Sequence, residues 1–447
     1  MRKILFILSA SLLLIQCITA QEIDTGFKFD LSVRYRLELW NGLNAKNYGD
    51  DGPDAIGNLN DKVLLQRIII GSTYTHSEKL RIAFHIQDSR AFGWSLQKDK
   101  YPDLYKICQT GTESTYYMMN PQEEYFEIYD LFVEYKQLLK NFSVKVGRQK
   151  IFYGDYRIFD PSIWGNTGRW TWDAIKISYK KGEDYVDVFG GGTKTHDPLR
   201  ISIPFTQTEF WGGGLYAHIG LTDRLDIEPF YALKTEGSAG FINTQSINRN
   251  WIGLRFVNPE QQNLIYDLLY AHESGNENGK RINASGYAVK AGYRFSFLPA
   301  DPIICLHYTY ATGGKESDEV IHTFDPAFGA RARFYGWMGV ASWSNLSNPE
   351  LTLEFSPLGK RMWIQMKYNR FYVPEPEECL ILNTMKIISG KHHLGDEPDI
   401  LIRYQPSNKW QFTGIFGYFN PGDLEQINNK TPKDALWFSF QVLFTLN

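Results

Sequence analysis

A two-residue rhythm near the amino terminus constrains the fold more than any other feature of this chain. Apolar side chains stand at every second position from residue 27 to residue 39, and charged or small polar side chains stand between them. A period of two places the two sets on opposite faces of a β-strand. The run is longer than the roughly 5–6 residues usual in globular sheets and fits a tilted membrane strand of about 9–11 residues. The segment therefore predicts a strand with one apolar and one charged face.

The same rhythm recurs along the chain, and the connections between the predicted strands alternate between short and long. The rhythm is clear at 80–87, 142–146, 175–180, 287–295, 362–368 and 438–446. Short connections, rich in Pro, Gly, Asp and Asn, are predicted at 76–79, 138–141, 181–184, 222–224, 258–262, 299–302, 357–360 and 406–408. Long polar loops are predicted at 41–61, 91–125, 151–170, 193–210, 236–247, 274–284, 313–335, 373–397 and 420–435.

Eight short turns and nine long loops predict 18 strands, with both termini on the short-turn side. Short periplasmic turns opposite long outside loops are typical of bacterial outer-membrane barrels. The fold class predicted is therefore all-β, a transmembrane antiparallel β-barrel. Pro349 interrupts the strand predicted near 338–356, so a count of 16 stays open.

The first 20 residues have the pattern of a secretory signal peptide. Arg2 and Lys3 precede an apolar run at 4–15, and cleavage is expected between Ala20 and Gln21. Residues 21–447 are then expected to form one barrel domain without a plug, because the first strand begins soon after the cleavage site. Cleavage moves the formal net charge from −3 to −5. No nucleic-acid partner is indicated.

Aromatic and cysteine contents agree with this class. Phe, Tyr and Trp make up 15% of the chain, which suits aromatic girdles at two membrane interfaces. The expected mature chain has three cysteines, an odd number that excludes a full disulfide framework. A single bridge between Cys108 and Cys379 and three free thiols both stay open.

Arginine within the predicted strands points to an anion path. A charge that faces lipid costs about 2–4 kcal/mol at the midplane, so these side chains are expected to face the lumen. Arginine offers a planar fork that binds carboxylates with two hydrogen bonds. The alternative is a structural network in which these arginines pair with acidic neighbours. The arginines that the alternation places within predicted strands are Arg34, Arg36, Arg67, Arg81, Arg148, Arg255, Arg294 and Arg403, and Arg90, Arg157 and Arg169 lie just beyond strand ends.

Several strings, in a fixed order, resemble the alginate-export family of outer-membrane proteins. They read QDSRAFG at 87–93, VGRQK at 146–150, YGDYR at 153–157, WGNTGR at 164–169, WDAI at 172–175, TFDP at 323–326 and YG at 335–336. The resemblance covers nearly all of the mature chain. It implies an 18-stranded barrel with a narrow, arginine-rich pore that loops and turns gate. The residues that it implies as pore arginines are Arg67, Arg90, Arg148, Arg157 and Arg169, and as pore acids Asp88, Asp155 and Asp173.

Two features depart from the family pattern. The mature net charge is negative, so a positive field would have to be local, and the chain ends on Asn447 where many barrels end on an aromatic residue. The function expected is passive export of an anionic, alginate-like polysaccharide. An anion-selective porin that takes up small anionic solutes is the main alternative, and a barrel enzyme or an adhesin built on the loops is the third.

Catalytic and metal motifs do not support the enzyme alternative. The sequence has neither a Gly-x-Ser-x-Gly elbow nor a His-Glu-x-x-His motif. His392 and His393 lie near Asp396 and Glu397, but neighbouring residues of an extended chain point to opposite sides, which favours a solvated loop over a metal site. No enzyme activity, cofactor or metal is therefore predicted. The expected partners are outer-membrane lipid and lipopolysaccharide, the barrel-assembly machinery and periplasmic export components.

Overall fold

The computed structural model describes residues 26–48, 54–76, 79–110, 115–237, 246–259, 262–330, 333–377, 380–381, 385–426 and 432–446. Within these residues, 18 strands form one barrel. Their bounds are β1 Phe27–Asn41, β2 Asp61–His76, β3 Leu80–Phe92, β4 Glu124–Leu139, β5 Phe142–Lys150, β6 Thr171–Lys181, β7 Asp184–Lys194, β8 Thr208–Thr222, β9 Leu225–Glu236, β10 Ile247–Val257, β11 Leu264–Glu277, β12 Lys280–Arg294, β13 Ile303–Ala311, β14 Leu346–Phe355, β15 Met362–Tyr372, β16 His393–Ser407, β17 Trp410–Pro421 and β18 Ala435–Leu446.

The barrel closes because its first and last strands pair with each other. β1 pairs antiparallel with β2 on one side and with β18 on the other. Neighbours along the chain are neighbours in the barrel, so every strand has two antiparallel partners and no edge is left open. The predicted fold class and the count of 18 strands are confirmed.

The predicted division into short turns and long loops also appears, with one difference. The loop predicted at 274–284 is instead strand, because β11 and β12 continue to a connection of Asn278 and Gly279 alone. Both residues have positive φ, 49° and 81°. An Asn-Gly pair adopts this conformation readily, and its twist matches that of the strands it joins. The strand predicted near 338–356 is shorter, since β14 begins at Leu346.

Apolar side chains cover the outside of the barrel. Ile70 of β2, Phe84 of β3 and Leu306 of β13 are exposed, and the side chains between them along each strand are more buried. The outer surface is therefore the apolar face that the two-residue alternation predicts. Among the described residues, no helix has the length and apolar character needed to cross a membrane.

Two long loops fold into the barrel and pack on its inner wall. Tyr153 and Phe328 both make bridge contacts with Phe159, which link the 151–170 loop to the loop between β13 and β14. The three side chains join Trp172 and Phe189 of the wall in one buried aromatic cluster. The lumen is thus narrowed by packed loops, and open space is left beside them.

Some expectations fall outside the described residues. The signal peptide and its cleavage site lie in 1–25, and Cys379 also lies outside, as does the side chain of Cys108, so the proposed bridge is not described. Cys305 is buried and free.

Candidate pore and its constriction

Arg34 on the inner face of β1 holds the tip of the 151–170 loop. Its Nη1 donates to the carbonyl oxygens of Ile163 at 3.0 Å and Trp164 at 3.2 Å. Its Nη2 donates to the carbonyl oxygen of Gly165 at 2.9 Å and to Oδ1 of Asn166 at 3.0 Å. Four hydrogen bonds from one guanidinium fix four successive loop residues, and the side chain is buried.

Arg36 and Arg67 hold the same loop tip from either side of Arg34. Arg36 donates to the Trp164 carbonyl at 2.7 Å and lies 4.3 Å from the centre of the Trp164 ring. Arg67 donates to the carbonyls of residues 163 and 165, both at 3.1 Å. Arg34, Arg36 and Arg67 are named here the arginine triad. Glu38, at 2.6 Å from Arg36, supplies one carboxylate against three positive charges.

Two cavities lie in the lumen beside the inward loops and share a boundary. The inner cavity, towards the short turns, has a volume of about 530 Å³, and the outer cavity, towards the long loops, about 370 Å³. The side chains of Arg333 and Trp337 line both. The inner cavity is also bordered by Arg157, Arg255, Lys290, Trp363, Lys367 and Arg403, and the outer one by Tyr156, Trp164, Arg169, Trp170 and His196.

The boundary between the cavities combines one guanidinium with aromatic rings. Arg333 lies 4.8 Å from the centre of the Phe334 ring and 5.2 Å from that of Tyr156. Trp337 packs edge to face on Trp164 at 5.1 Å, so the loop tip held by the triad also forms this boundary. Within the described residues, no carboxylate lies within ion-pair distance of Arg333. Its charge therefore faces both cavities without a carboxylate beside it.

Arg157 lies at the inner side of this boundary and is partly neutralised. Its Nε is 2.9 Å from Asp155, and its Nη1 donates to the Tyr335 hydroxyl at 3.1 Å. Burial disfavours its charge, but the Tyr335 oxygen and the Asp155 carboxylate outweigh burial and raise the Arg157 pKa. The Phe334 ring, 4.3 Å from its guanidinium, connects it to Arg333.

Three further predicted arginines, Arg81, Arg90 and Arg169, have acidic partners. Arg81 is 3.5 Å from Glu134, and with Arg67 it lines a separate cavity of about 560 Å³ near the short turns. Arg90 forms a two-bond pair with Asp88 at 2.7 and 3.1 Å. Both stand an even number of positions from the exposed Phe84 of β3, so the pair lies on the outer face and the expectation that Arg90 and Asp88 face the lumen is wrong. Arg169 pairs with Glu209 at 2.8 Å. The side chains of Arg81 and Arg169 are each about two-fifths exposed, which leaves part of each open to the lumen.

Arg294 and Arg148 lie apart from the cavities. Arg294 ends β12 on the short-turn side and pairs with Asp301 of the following turn. Arg148 differs from the expectation of a lumen-facing side chain. It stands two positions from Val146, which is exposed on the outer face, and its cross-strand partner Asp173 stands two positions from the exposed Ile175. Both side chains therefore point away from the lumen, and both are buried.

The sequence reasoning did not single out Arg333, Trp337 or Lys367. Arg333 and Trp337 lie in and beyond the long loop predicted at 313–335, where the alternation gives no direction for a side chain. The only local signal is the aromatic run 334–337, which follows Arg333 directly. No group of histidine, cysteine and acidic side chains suited to a metal occurs among the described residues.

The barrel is closed, its outer surface is apolar, and inward loops narrow its charged lumen. These features define an outer-membrane channel. The family model for alginate export matches residues 27–437, so the chain belongs to the alginate export family. Family and fold are those of a channel and not of an enzyme class, and they place the protein in the outer membrane. No protein of curated function matches the sequence.

Solved porin structures share the fold. OpdQ of Pseudomonas aeruginosa matches with a TM-score of 0.59 and 9% identity, over 94% of this chain and 97% of its own. OccAB3 of Acinetobacter baumannii matches with a TM-score of 0.58 and 11% identity, over 94% and 99%. OprD of Pseudomonas aeruginosa matches with a TM-score of 0.57 and 10% identity, over 96% and 95%. At such identities the likeness shows the fold alone.

Proposed function

We propose that this channel passes an anionic, alginate-like polysaccharide by passive diffusion through the two cavities. The observation that carries the proposal is the shared boundary, where Arg333, which has no acidic partner among the described residues, lines both cavities together with Trp337, whose ring packs on Trp164. An acidic sugar carries a carboxylate for the guanidinium fork and an apolar ring face for the indoles. The boundary presents both kinds of contact at one place.

Further cations beside indole rings lie on both sides of the boundary, towards the two ends of the lumen. Arg403, 5.0 Å from the Trp363 ring, lies in the inner cavity, and Arg169, 4.7 Å from the Trp170 ring, lies in the outer one. Each repeats the combination of a cation and an indole. Weak sites in series let a charged polymer advance, because each must bind well enough to admit it and release it. The residues of the path are proposed to be Arg81, Arg157, Arg169, Arg333 and Arg403, with Asp155 setting their strength.

Uptake of small anionic solutes is the second candidate. The cavity volumes support it, because about 370 and 530 Å³ are the sizes of sites that enclose one small molecule. The same boundary would then select a single carboxylate with an attached ring. The two functions differ in whether a long polymer can occupy the whole path at once. Neither function requires catalysis. For both functions, we propose that the barrel-assembly machinery inserts the barrel into the membrane and that the outer surface of the barrel contacts lipopolysaccharide.

Current through the purified channel in planar bilayers separates the two. Oligouronates of increasing length are added at equal carboxylate concentration, and block of the chloride current is measured. A block that strengthens with length supports the polysaccharide, because one chain then occupies several sites. Equal block by monomers and long oligomers favours the small-solute porin.

A matched pair of variants tests the boundary itself. Arg333→Gln should weaken block by a uronate about tenfold, since it removes the unpaired cation. Arg294→Gln removes an arginine of the short-turn rim and should leave block unchanged. Equal block in Arg333→Gln and the native chain would contradict the role given to Arg333.

A further inference from the structure

The loop between β7 and β8 presents an apolar surface on the outside of the barrel. Leu199, Ile201 and Ile203 are 69%, 57% and 61% exposed, and Phe205 is also exposed. Ser202, between two of these residues, is 1% exposed. Arg200, between Leu199 and Ile201, is partly exposed, and its Nε lies 3.8 Å from the buried Asp197. Apart from Arg200, the loop has an exposed apolar side and a buried polar side, although it is not part of the barrel sheet.

The buried side of this loop is bonded to the outward-facing pair Arg148 and Asp173. Arg148 donates to the Ser202 carbonyl at 2.7 Å and to the Ser202 Oγ at 3.0 Å. The Ser202 amide donates to Glu127 at 2.9 Å, and the Phe205 amide donates to Asp173 at 3.0 Å. Arg148 is itself held by Asp173 through two bonds of 2.7 and 2.8 Å. The loop therefore covers the ion pair from outside.

Three neighbouring strands show that this pair lies on the outer face. Arg148 is opposite the exposed Leu131 of β4. Asp173 is opposite Gly192 of β7, and Gly192 is opposite the exposed Trp211 of β8. Directly opposed residues in a sheet point to the same face. The ladder around the pair is thus consistently outward.

The depth of the pair places it within the lipid. Phe142 and Tyr179, with ring centres 5.0 Å apart, mark the short-turn end of β5 and β6. From there to Arg148 the chain advances six residues, which at about 3.3 Å per residue and about 45° tilt is a rise of roughly 14 Å. The apolar band of such barrels is about 25 Å tall. Without its cover the ion pair would face hydrocarbon, where charges are costly.

We propose that residues 199–205 form a lipid-facing cover, whose apolar side chains contact the acyl chains of the outer leaflet and whose backbone seals the Arg148–Asp173 pair. The cover is continuous with the exposed apolar faces of β5, β6 and β8, which include Val146, Ile175 and Trp211. In this role, a loop supplies the apolar outer surface that the barrel strands themselves do not provide at this position. Its occupant is the acyl-chain region of the membrane, not a second protein.

Spin-label accessibility in proteoliposomes tests the cover. Nitroxides are placed singly at Leu199→Cys, Ile201→Cys and Ile203→Cys in a chain whose other cysteines are serine. Val146→Cys serves as the lipid-facing control and Asp223→Cys, in a short turn, as the aqueous control. Slower gel mobility after boiling confirms that each labelled barrel was folded.

We expect oxygen to enhance the relaxation of the three loop labels, as at Val146→Cys. We also expect these labels to be shielded from the water-soluble nickel chelate. Access of the chelate equal to that at Asp223→Cys would overturn it, because the loop would then stand in water. Shielding from both oxygen and the chelate would also overturn it, because another protein surface would then cover the loop.

Discussion

Replacing Arg34 by Met should release the loop tip that narrows the lumen. The native guanidinium makes four hydrogen bonds to residues 163–166. A hydrogen bond from a charged donor contributes about 1.5–3 kcal/mol. In the variant, Arg67 still reaches the carbonyls of residues 163 and 165, and Arg36 still reaches that of Trp164, so only part of the sum is lost. The net loss is therefore on the order of 3 kcal/mol, or about a hundredfold in the ratio of seated to released loop.

Single-channel recording measures this ratio as the fraction of time spent in the larger conductance. We expect that fraction to rise by up to a hundredfold in Arg34→Met, with wide openings that are rare in the native channel. Arg294→Met is the matched control, because it removes an arginine with an acidic partner from the short-turn rim. If both variants conduct like the native chain, the triad does not hold the constriction, and the reasoning from its hydrogen bonds fails.

Three further predictions follow from other parts of the structure. Trp337→Ala removes the indole that packs on Trp164 and should at least double the conductance of the narrow native state in the same recordings. Trp410→Ala, on the short-turn side, is the control and should leave this conductance unchanged. Arg148→Met leaves the buried Asp173 without its cation and Glu127 with Lys194 alone. It should lower the free energy of unfolding in denaturant by about 3–5 kcal/mol, while the reversal potential in a salt gradient stays unchanged. Burial lowers the pKa of His196, in the loop after β7, to about 4 from an ordinary 6.5. The unfolded chain therefore binds a proton at His196 more readily than the folded chain does. The contribution of His196 to the free energy of unfolding is complete above about pH 6.5 and falls by up to about 3 kcal/mol as the pH drops towards 4. Unfolding midpoints at pH 7 and 4.5 should show this fall, and His196→Asn should reduce it.

Strand faces could be predicted from the sequence because they depend on neighbours two positions away. In β1, the apolar and polar sets of the rhythm lie outside and inside as expected, and closure with β18 follows from the count of strands. The connection at Asn278 and Gly279 could also have been predicted, since that pair is a strong turn signal, but the polar residues around it read as a loop. Local chemistry thus determines most of the barrel.

The partners of the arginines could not be predicted, because they are far away in the chain. Arg34 is bonded to residues about 130 positions later, in a loop whose path the alternation does not describe. For Arg148, the rhythm that includes Val144 and Val146 pointed outward, while the cost of a charge in lipid argued for the lumen. Both considerations are satisfied by a cover that only the folded chain reveals.

The kind of partner decides whether an arginine contributes to the field of the pore. Arg255, held by Asp267 and Glu228, is neutralised in place by carboxylates. Carbonyl oxygens orient a guanidinium equally well but carry no net charge, so the triad keeps two positive charges in excess after Glu38 is counted. Such a field is local and is compatible with a chain that is acidic as a whole. The three arginines that hold the loop tip thus also leave a net positive charge beside it. Under the proposed function, we expect an anion that competes with the loop carbonyls for these arginines to loosen the constriction as it enters.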